Sequence, residues 1–300
     1  MGGRRQATIR LALHARTIRH QSTEFGALGK AFRIEMDTSY GYANTTSYSR
    51  KRTPRSSYGT ELVFKDQQAC SLWRVNYTLA EKFFLGDKHS TVPRSYLSRV
   101  TDQEFPKHKA AELAKKWGKD YWDGDRRTGY GGYRFLPGYW TPLAEQLILE
   151  YNLTPNSSVL DIGCGKGFLL AELAKLVPGI RIHGLDVSAY AIENAHPPVK
   201  NFVELGSCVS LPYEANQFDL AISLNVFHNL ISPDLLAALK EIVRVSNMSY
   251  LVVESYDTEI QKENLLYWQL TCEAFLRPEE WEWWFELAGY DRDYEFIFFD

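Results

Sequence analysis

The chain has 300 residues, 45 % hydrophobic and 24 % charged, the make-up of an ordinary soluble globular protein of one or two domains. No apolar run approaches the ~18–20 residues needed to cross a bilayer, and the N-terminus lacks the apolar block and small-residue cleavage site of a secretory signal, so no membrane partner is expected. The net charge of −3 hides an asymmetry: residues 1–60 carry eleven Lys/Arg against three Asp/Glu, while residues 61–300 carry 23 against 34, an acidic body that repels phosphate backbones and excludes nucleic acid as the expected substrate.

Residues 1–88 read as a basic, disordered extension. Its first 23 residues hold five arginines and no acid, and residues 38–60 are rich in Ser, Thr, Tyr and Arg. Neither stretch can bury enough apolar surface to offset its ordering entropy. The extension is either transit-peptide-like or dispensable. The cysteines Cys70, Cys164, Cys208 and Cys272 form no C-x-x-C pair and the histidines are scattered, so neither a disulfide framework nor a metal site is expected. A reducing compartment fits: cytoplasmic, or an organelle if the extension is a transit peptide.

Residues 89–140 read as a helical segment followed by an aromatic, glycine-punctuated lid. Thr101 and Glu104 have capping-box spacing. Ala110, Leu113, Ala114 and Trp117 share a helical face that Gly118 stops. "YWDGDRRTGYGGYRFLPGYW" (121–140) then holds four tyrosines, two tryptophans and three arginines among glycines, with no regular period. It is either a packed loop or a lid over the crevice of the next domain, with Tyr130 against a ligand. Arg126, Arg127 and Arg134 are candidates to bind an anionic group on the acceptor.

Residues 141–300 alternate strands and helices. Thr141 and Pro142 read as helix cap and first helical position. "SVLDIG", "IRIHGLDV", "NFVEL", "FDLAISL", "SYLVVESY" and "YEFIFF" read as strands, and "KGFLLAELAKLV", "SAYAIENA", "PDLLAALKEIVRV" and "PEEWEWWFELAG" as helices. This order predicts an α/β fold with a doubly wound, mostly parallel sheet and helices on both faces. A further helix is expected at 264–275, of the kind that roofs an acceptor site, with Tyr267 and Trp268 in the core more than on a ligand; Trp281 and Trp284 read as a core stripe.

The chemistry concentrates in "VLDIGCGKGFLLAEL" (159–173). Gly163, Gly165 and Gly167 lie between a strand and a helix, where glycines let backbone and ligand approach closely. The dinucleotide fingerprint G-x-G-x-x-G fails, because Phe168 stands where the third glycine belongs. Asp161 at the strand end repels a pyrophosphate and attracts a cationic ligand. Asp186 ends the second strand and can accept two ribose hydroxyls, and Val187 beside it can pack on a base.

These features, together with "FDLAISLNVFHNL", resemble class I S-adenosylmethionine-dependent methyltransferases. The stretch from Tyr96 onward is also similar to methyltransferases found near bacterial surface-polysaccharide genes. The resemblance implies a Rossmann-like sheet, S-adenosylmethionine as methyl donor, and donor-binding roles for the glycine turn and Asp186. Two departures stand out. Ser207 sits about where many relatives carry an acid that holds the adenine amine. The chain also has one final strand where relatives have an antiparallel hairpin, so a shortened sheet edge is expected.

Asn225 is placed beside the donor's methionyl end. His228 either takes the acceptor's proton or pads the loop. Glu254 either binds acceptor hydroxyls or caps the next helix, and Tyr256 sits beside it at the crevice. The expected function is methyl transfer to a small molecule, to a hydroxyl more than an amine, with a sugar or sugar-nucleotide as the acceptor guessed. A nicotinamide-dependent oxidoreductase and a non-catalytic donor-binding protein are the rivals. The oligomeric state is open.

Overall fold

Five consecutive residues of "SVLDI" are buried on both faces, the pattern of a strand inside a parallel sheet with helices on each side. The computed structural model describes residues 96–300; the extension expected over 1–88, and residues 89–95, lie outside the described residues. Six strands, β1 (Ser158–Ile162), β2 (Arg181–Asp186), β3 (Val203–Leu205), β4 (Phe218–Leu224), β5 (Ser246–Glu254) and β6 (Asp293–Ile297), form one sheet in the order β3-β2-β1-β4-β5-β6. Every pair is parallel. The fold is the Rossmann-like sheet expected from the sequence. The strand order reverses between β1 and β4, and the carboxyl ends of strands on either side of that switch point open a crevice.

Successive strand residues serve opposite cores. Val159, Leu220, Ile222, Tyr250 and Val252 pack with α4 (Thr141–Glu150) and α5 (Phe168–Leu176) through Leu143, Leu147 and Leu173. Leu160, Ala221, Leu251 and Val253 face α7 (Ser232–Val245) and α9 (Pro278–Ala288) through Leu239, Trp281 and Phe285. Trp281 and Phe285 are fully enclosed, so truncating either to Ala costs about 3–5 kcal/mol. Trp284 is partly buried on the same core, but Trp283 is 57 % exposed.

The final edge is short, as expected. β6 pairs directly and in parallel with β5, and no antiparallel strand separates them among the described residues.

The segment before the sheet departs from the sequence expectation in detail. Its helices are α1 (Tyr96–Thr101), α2 (Lys107–Ala114) and α3 (Lys119–Trp122). Thr101 does not cap the helix after it; its hydroxyl bonds Leu97 O, closing the helix it ends, while Asp102 Oδ1 accepts from Phe105 N. α2 starts behind Pro106, whose fixed φ suits a helix entry. Gly118 opens α3 rather than simply stopping α2, so the aromatic segment begins with a helical turn. Thr141 lies one residue inside α4 and bonds Glu172 Oε2 at 2.9 Å.

The helix expected at 264–275 is displaced. α8 runs Glu259–Trp268, opened by a capping box in which Thr258 and Gln261 exchange side-chain and backbone hydrogen bonds. α6 (Ala189–Glu193) is a short helix capped by Ser188. Among the described residues no helix is long and apolar enough to cross a membrane, and no group of three or more His, Cys, Asp or Glu is placed to hold a metal.

Candidate active site

The glycine turn follows β1. Gly163, Gly165 and Gly167 all take positive φ, of 79°, 56° and 75°, a region that strains other residues. The glycines also admit the protein's own side chains. A Cβ on Gly163 would meet Val226 Cγ2 at 2.1 Å, on Gly165 the Trp122 ring at 3.0 Å, and on Gly167 Val199 Cγ2 at 2.7 Å. The sequence reading reserved that space for a ligand; here three side chains share it.

Asp161 ends up 4 % exposed and makes no hydrogen bond or ion pair with any described residue. Burial, and then the nearby charge of Asp186, raise its pKa to about 7. Asp186 is better satisfied. Its Oδ2 accepts from Gly165 N at 2.7 Å and its Oδ1 from Ser188 N at 2.8 Å. Desolvation still raises its pKa against those two bonds. Asp186 thus ties the glycine turn to the loop after β2. Val187 is 57 % exposed beside it, and Ser207 is exposed on the loop after β3.

Asn225 follows β4 with φ 60°, its N–H bound to Val252 O at 2.9 Å. Its Oδ1 is buried and has no partner among the described residues. A buried acceptor and a buried carboxylate thus stand at the ends of the paired strands β4 and β1, groups whose chemistry suits a cationic hydrogen-bond donor.

His228 is 2 % exposed. Its Nδ1 accepts from Glu254 N at 3.4 Å, and its Nε2 lies 3.5 Å from Glu254 Oε2. Burial pulls its pKa down to about 3, so the ring is neutral at pH 7 and a poor proton acceptor there. Both nitrogens face Glu254, which goes against a direct base and favours the loop-padding role. Glu254, 6 % exposed, also receives Gln269 Nε2 on both carboxylate oxygens, and its backbone O accepts from Trp281 Nε1. It does not cap α8, where Thr258 does that.

The aromatic segment packs on this crevice. Trp122 stacks on Tyr130 at 5.4 Å, Tyr130 meets Tyr133 at 4.6 Å, and Tyr133 stacks on Phe168 at 4.9 Å. Trp122 Nε1 donates to Ser188 Oγ at 2.8 Å. The desolvated phenols of Tyr121 and Tyr130 also sense Glu254 and Asp186; Tyr121 is held well above its ordinary pKa and Tyr130 at about 12. The segment is fastened from below: buried Lys166, inside the glycine turn, donates to Asp123 Oδ1 at 2.9 Å, Asp123 Oδ2 at 2.7 Å and Tyr133 O at 2.9 Å. Asp123 also accepts from Tyr190 OH at 2.8 Å. It is a pinned wall.

Other sequence candidates fall elsewhere. Arg127 is engaged by Asp125 at 2.7 Å and Asp102 at 3.4 Å on the surface, so its charge is already matched. Tyr256 belongs to the core, 6 % exposed, with Lys262 and Arg277 over its ring at 5.4 Å and 5.2 Å, and not to the crevice lining. Tyr267 is not core; its hydroxyl bonds Glu263 at the surface. Arg134 is exposed. Arg126 lies over the Trp268 ring at 5.0 Å. The sequence reading missed Lys166, Asp123 and Gln269. Lys166 had a signal, as a cation inside the glycine motif; Gln269 had none.

Residues 159–248 match a family model described as a methyltransferase domain. That part of the chain, which includes the glycine turn at the switch point of the parallel sheet, is thus similar to a methyltransferase domain. The chain is 36 % identical over 127 residues to a ribosomal RNA small subunit methyltransferase C from Citrobacter koseri, covering 39 % of this chain and 36 % of that one. It is 31 % identical over 105 residues to a malonyl-[acyl-carrier protein] O-methyltransferase from Legionella pneumophila, covering 34 % and 36 %. The chain thus spans about a third of the length of these curated relatives. A complex of the Haloferax volcanii Trm112 methyltransferase activator with a methyltransferase holds a similar chain, with a TM-score of 0.41 and 24 % identity over 50 % of this chain and 67 % of that chain.

Proposed function

We propose that this chain transfers a methyl group from S-adenosylmethionine to a hydroxyl of a small-molecule acceptor. The observation that carries the donor half is Asp161, a carboxylate buried at the end of β1 with no counter-ion among the described residues; at the end of the paired strand β4, Asn225 Oδ1 is buried without a partner among them. An amino-acid ammonium satisfies both, and a diphosphate satisfies neither. Asp186, Val187 and Ser207 then lie where the nucleoside end belongs. Bound there, S-adenosylmethionine supplies a methyl group activated by its sulfonium.

Glu254 is the residue we place at the acceptor. His228 and Gln269 fix its carboxylate, which would accept the acceptor's hydroxyl proton as that oxygen is methylated. Most of the rate comes from alignment, with modest acid–base help. Tyr121 and Tyr130 wall the crevice on the opposite side and exclude water.

The acidic body of residues 61–300 supports a small acceptor over ribosomal RNA, the substrate named for the Citrobacter koseri relative. A sugar or sugar-nucleotide hydroxyl is the acceptor class that the likeness from Tyr96 onward suggests. Calorimetric titration of the full chain with S-adenosylhomocysteine and with NAD tests the donor. Saturable binding of the first alone is expected; binding of NAD alone overturns the reading. Turnover in a screen of hydroxylated small molecules separates an enzyme from a donor-binding protein.

A further inference from the structure

Three cations gather where α1, α2 and the aromatic segment meet the end of α8. Arg99 lies over the Trp268 ring at 4.4 Å, the same ring that Arg126 covers at 5.0 Å. Arg99 Nη1 donates to Trp268 O at 3.0 Å and Nη2 to Arg126 O at 3.4 Å. Lys107 Nζ donates to Leu266 O. Among the described residues neither Arg99 nor Lys107 meets a carboxylate; their partners are carbonyls and a ring. The strain shows in both charges. Burial, with Arg126 beside it, pulls the Arg99 guanidinium to about 10, and burial, with Arg99 beside it, lowers Lys107.

Holding like charges together is unfavourable unless an anion joins them. The surface salt bridges nearby show the alternative, since Lys115 and Arg127 each have an acid. Arg99 has five N–H donors, and two are used within the described residues.

The cluster also borders the acceptor side of the crevice. Trp268 is followed by Gln269, which holds Glu254. The Cys272 thiol, raised chiefly by burial, senses the charges of both Glu254 and Lys107. An anionic acceptor approaching Glu254, Asp186 and Asp161 would be repelled; the cations reverse that field at one end.

We propose that Arg99 and Lys107 form an anion subsite, with Arg126, whose Nη1 donates to Gly129 O, adding positive charge beside them, and that the acceptor is an oxyanion-bearing molecule, a phosphate or a carboxylate, anchored there while its hydroxyl reaches Glu254. This rests on the methyl-transfer reading above. Arg127, matched by Asp125 and Asp102, has no part in it.

The test is calorimetry on the full chain at constant ionic strength. S-adenosylhomocysteine is titrated first; then pyrophosphate, inorganic phosphate and glutarate are titrated into the saturated protein. One oxyanion class binds saturably, the phosphates and glutarate separating the two sources. That binding weakens about ten-fold in Arg99→Gln and in Lys107→Met, as expected for losing a charge-assisted hydrogen bond. Arg99→Lys, which keeps the charge and guards against a folding defect, recovers part of it, and Arg127→Gln leaves it unchanged. No saturable oxyanion binding in protein that still binds S-adenosylhomocysteine overturns the subsite and leaves methyl transfer standing. Equal weakening in Arg99→Gln and Arg127→Gln overturns it too, as a diffuse surface effect. Failure of S-adenosylhomocysteine to bind defeats the methyl-transfer reading instead, and titration of the donor-free chain then reads the cluster alone.

Discussion

Lys166 and Asp123, 43 positions apart, hold the aromatic segment onto the glycine turn, with Nζ at 2.9 Å and 2.7 Å from the two carboxylate oxygens. The pair is mostly enclosed, the lysine side chain 8 % exposed and the aspartate 25 %. One side chain from the glycine turn thereby fixes the aromatic segment against it. Lys166→Met should destabilise the protein by about 2–3 kcal/mol, because it strands Asp123 beside Tyr190 and Tyr133. Urea unfolding measures this. The double variant Lys166→Met/Asp123→Asn should recover part of the loss; an unchanged midpoint in the single variant would show that the clamp carries no weight.

Gly165 has two reasons to be glycine, φ 56° and the Trp122 ring at 3.0 Å from any Cβ. Gly165→Ala should cost about 1–3 kcal/mol from backbone strain alone, and it should weaken S-adenosylhomocysteine binding as Trp122 shifts. Thermal melts and calorimetry on one preparation read both. A wild-type melting temperature would mean that the turn relaxes freely.

Glu254 and His228 are separable by kinetics. Glu254→Gln keeps the shape and removes the proton acceptor, so kcat should fall about 10²–10⁴-fold. His228→Gln should lower kcat less, about ten-fold, and distort the pH profile by misplacing Glu254. Its burial holds His228 near 3, well below the assay range, so no limb of the wild-type profile between pH 5 and 9 should vanish in His228→Gln. A limb near pH 6.5 that does vanish would restore His228 as the base.

The sheet was legible because burial on both faces leaves apolar runs such as "YLVV" (250–253), and because strands and helices alternate. The glycine turn after β1 was legible because positive φ demands glycine at 163, 165 and 167. What escaped was carried by contacts between distant residues. Nothing near Gln269 signals that it meets Glu254, and Lys166 and Asp123 share no period. Arg127 looked like Arg126 in sequence; the acids beside it, Asp125 and Asp102, decide that it is a surface pair. α8 starts at Glu259, ahead of the helix expected at 264–275, because the Thr258–Gln261 capping box opens it there.

If Asp161 holds the donor as proposed, it affects stability and binding with opposite signs. Its folded pKa is raised, so the folded chain binds more protons than the unfolded chain between the ordinary carboxylate range and pH 7. Stability from this group therefore falls as pH rises to about 7 and stays low above it. Asp161→Asn should raise the melting temperature of the donor-free protein at pH 8 while weakening donor binding, a trade expected at functional sites. A lower melting temperature at pH 8 would mean that the carboxylate is paired after all.

The most direct measurement is the S-adenosylhomocysteine dissociation constant across pH. The ligand's ammonium requires ionised Asp161, whose pKa stands at about 7 before binding. Affinity should fall about ten-fold from pH 8 to pH 6, and Asp161→Asn should bind weakly with no such slope. A flat profile in the wild-type chain, or tight binding that survives Asp161→Asn, would contradict the account.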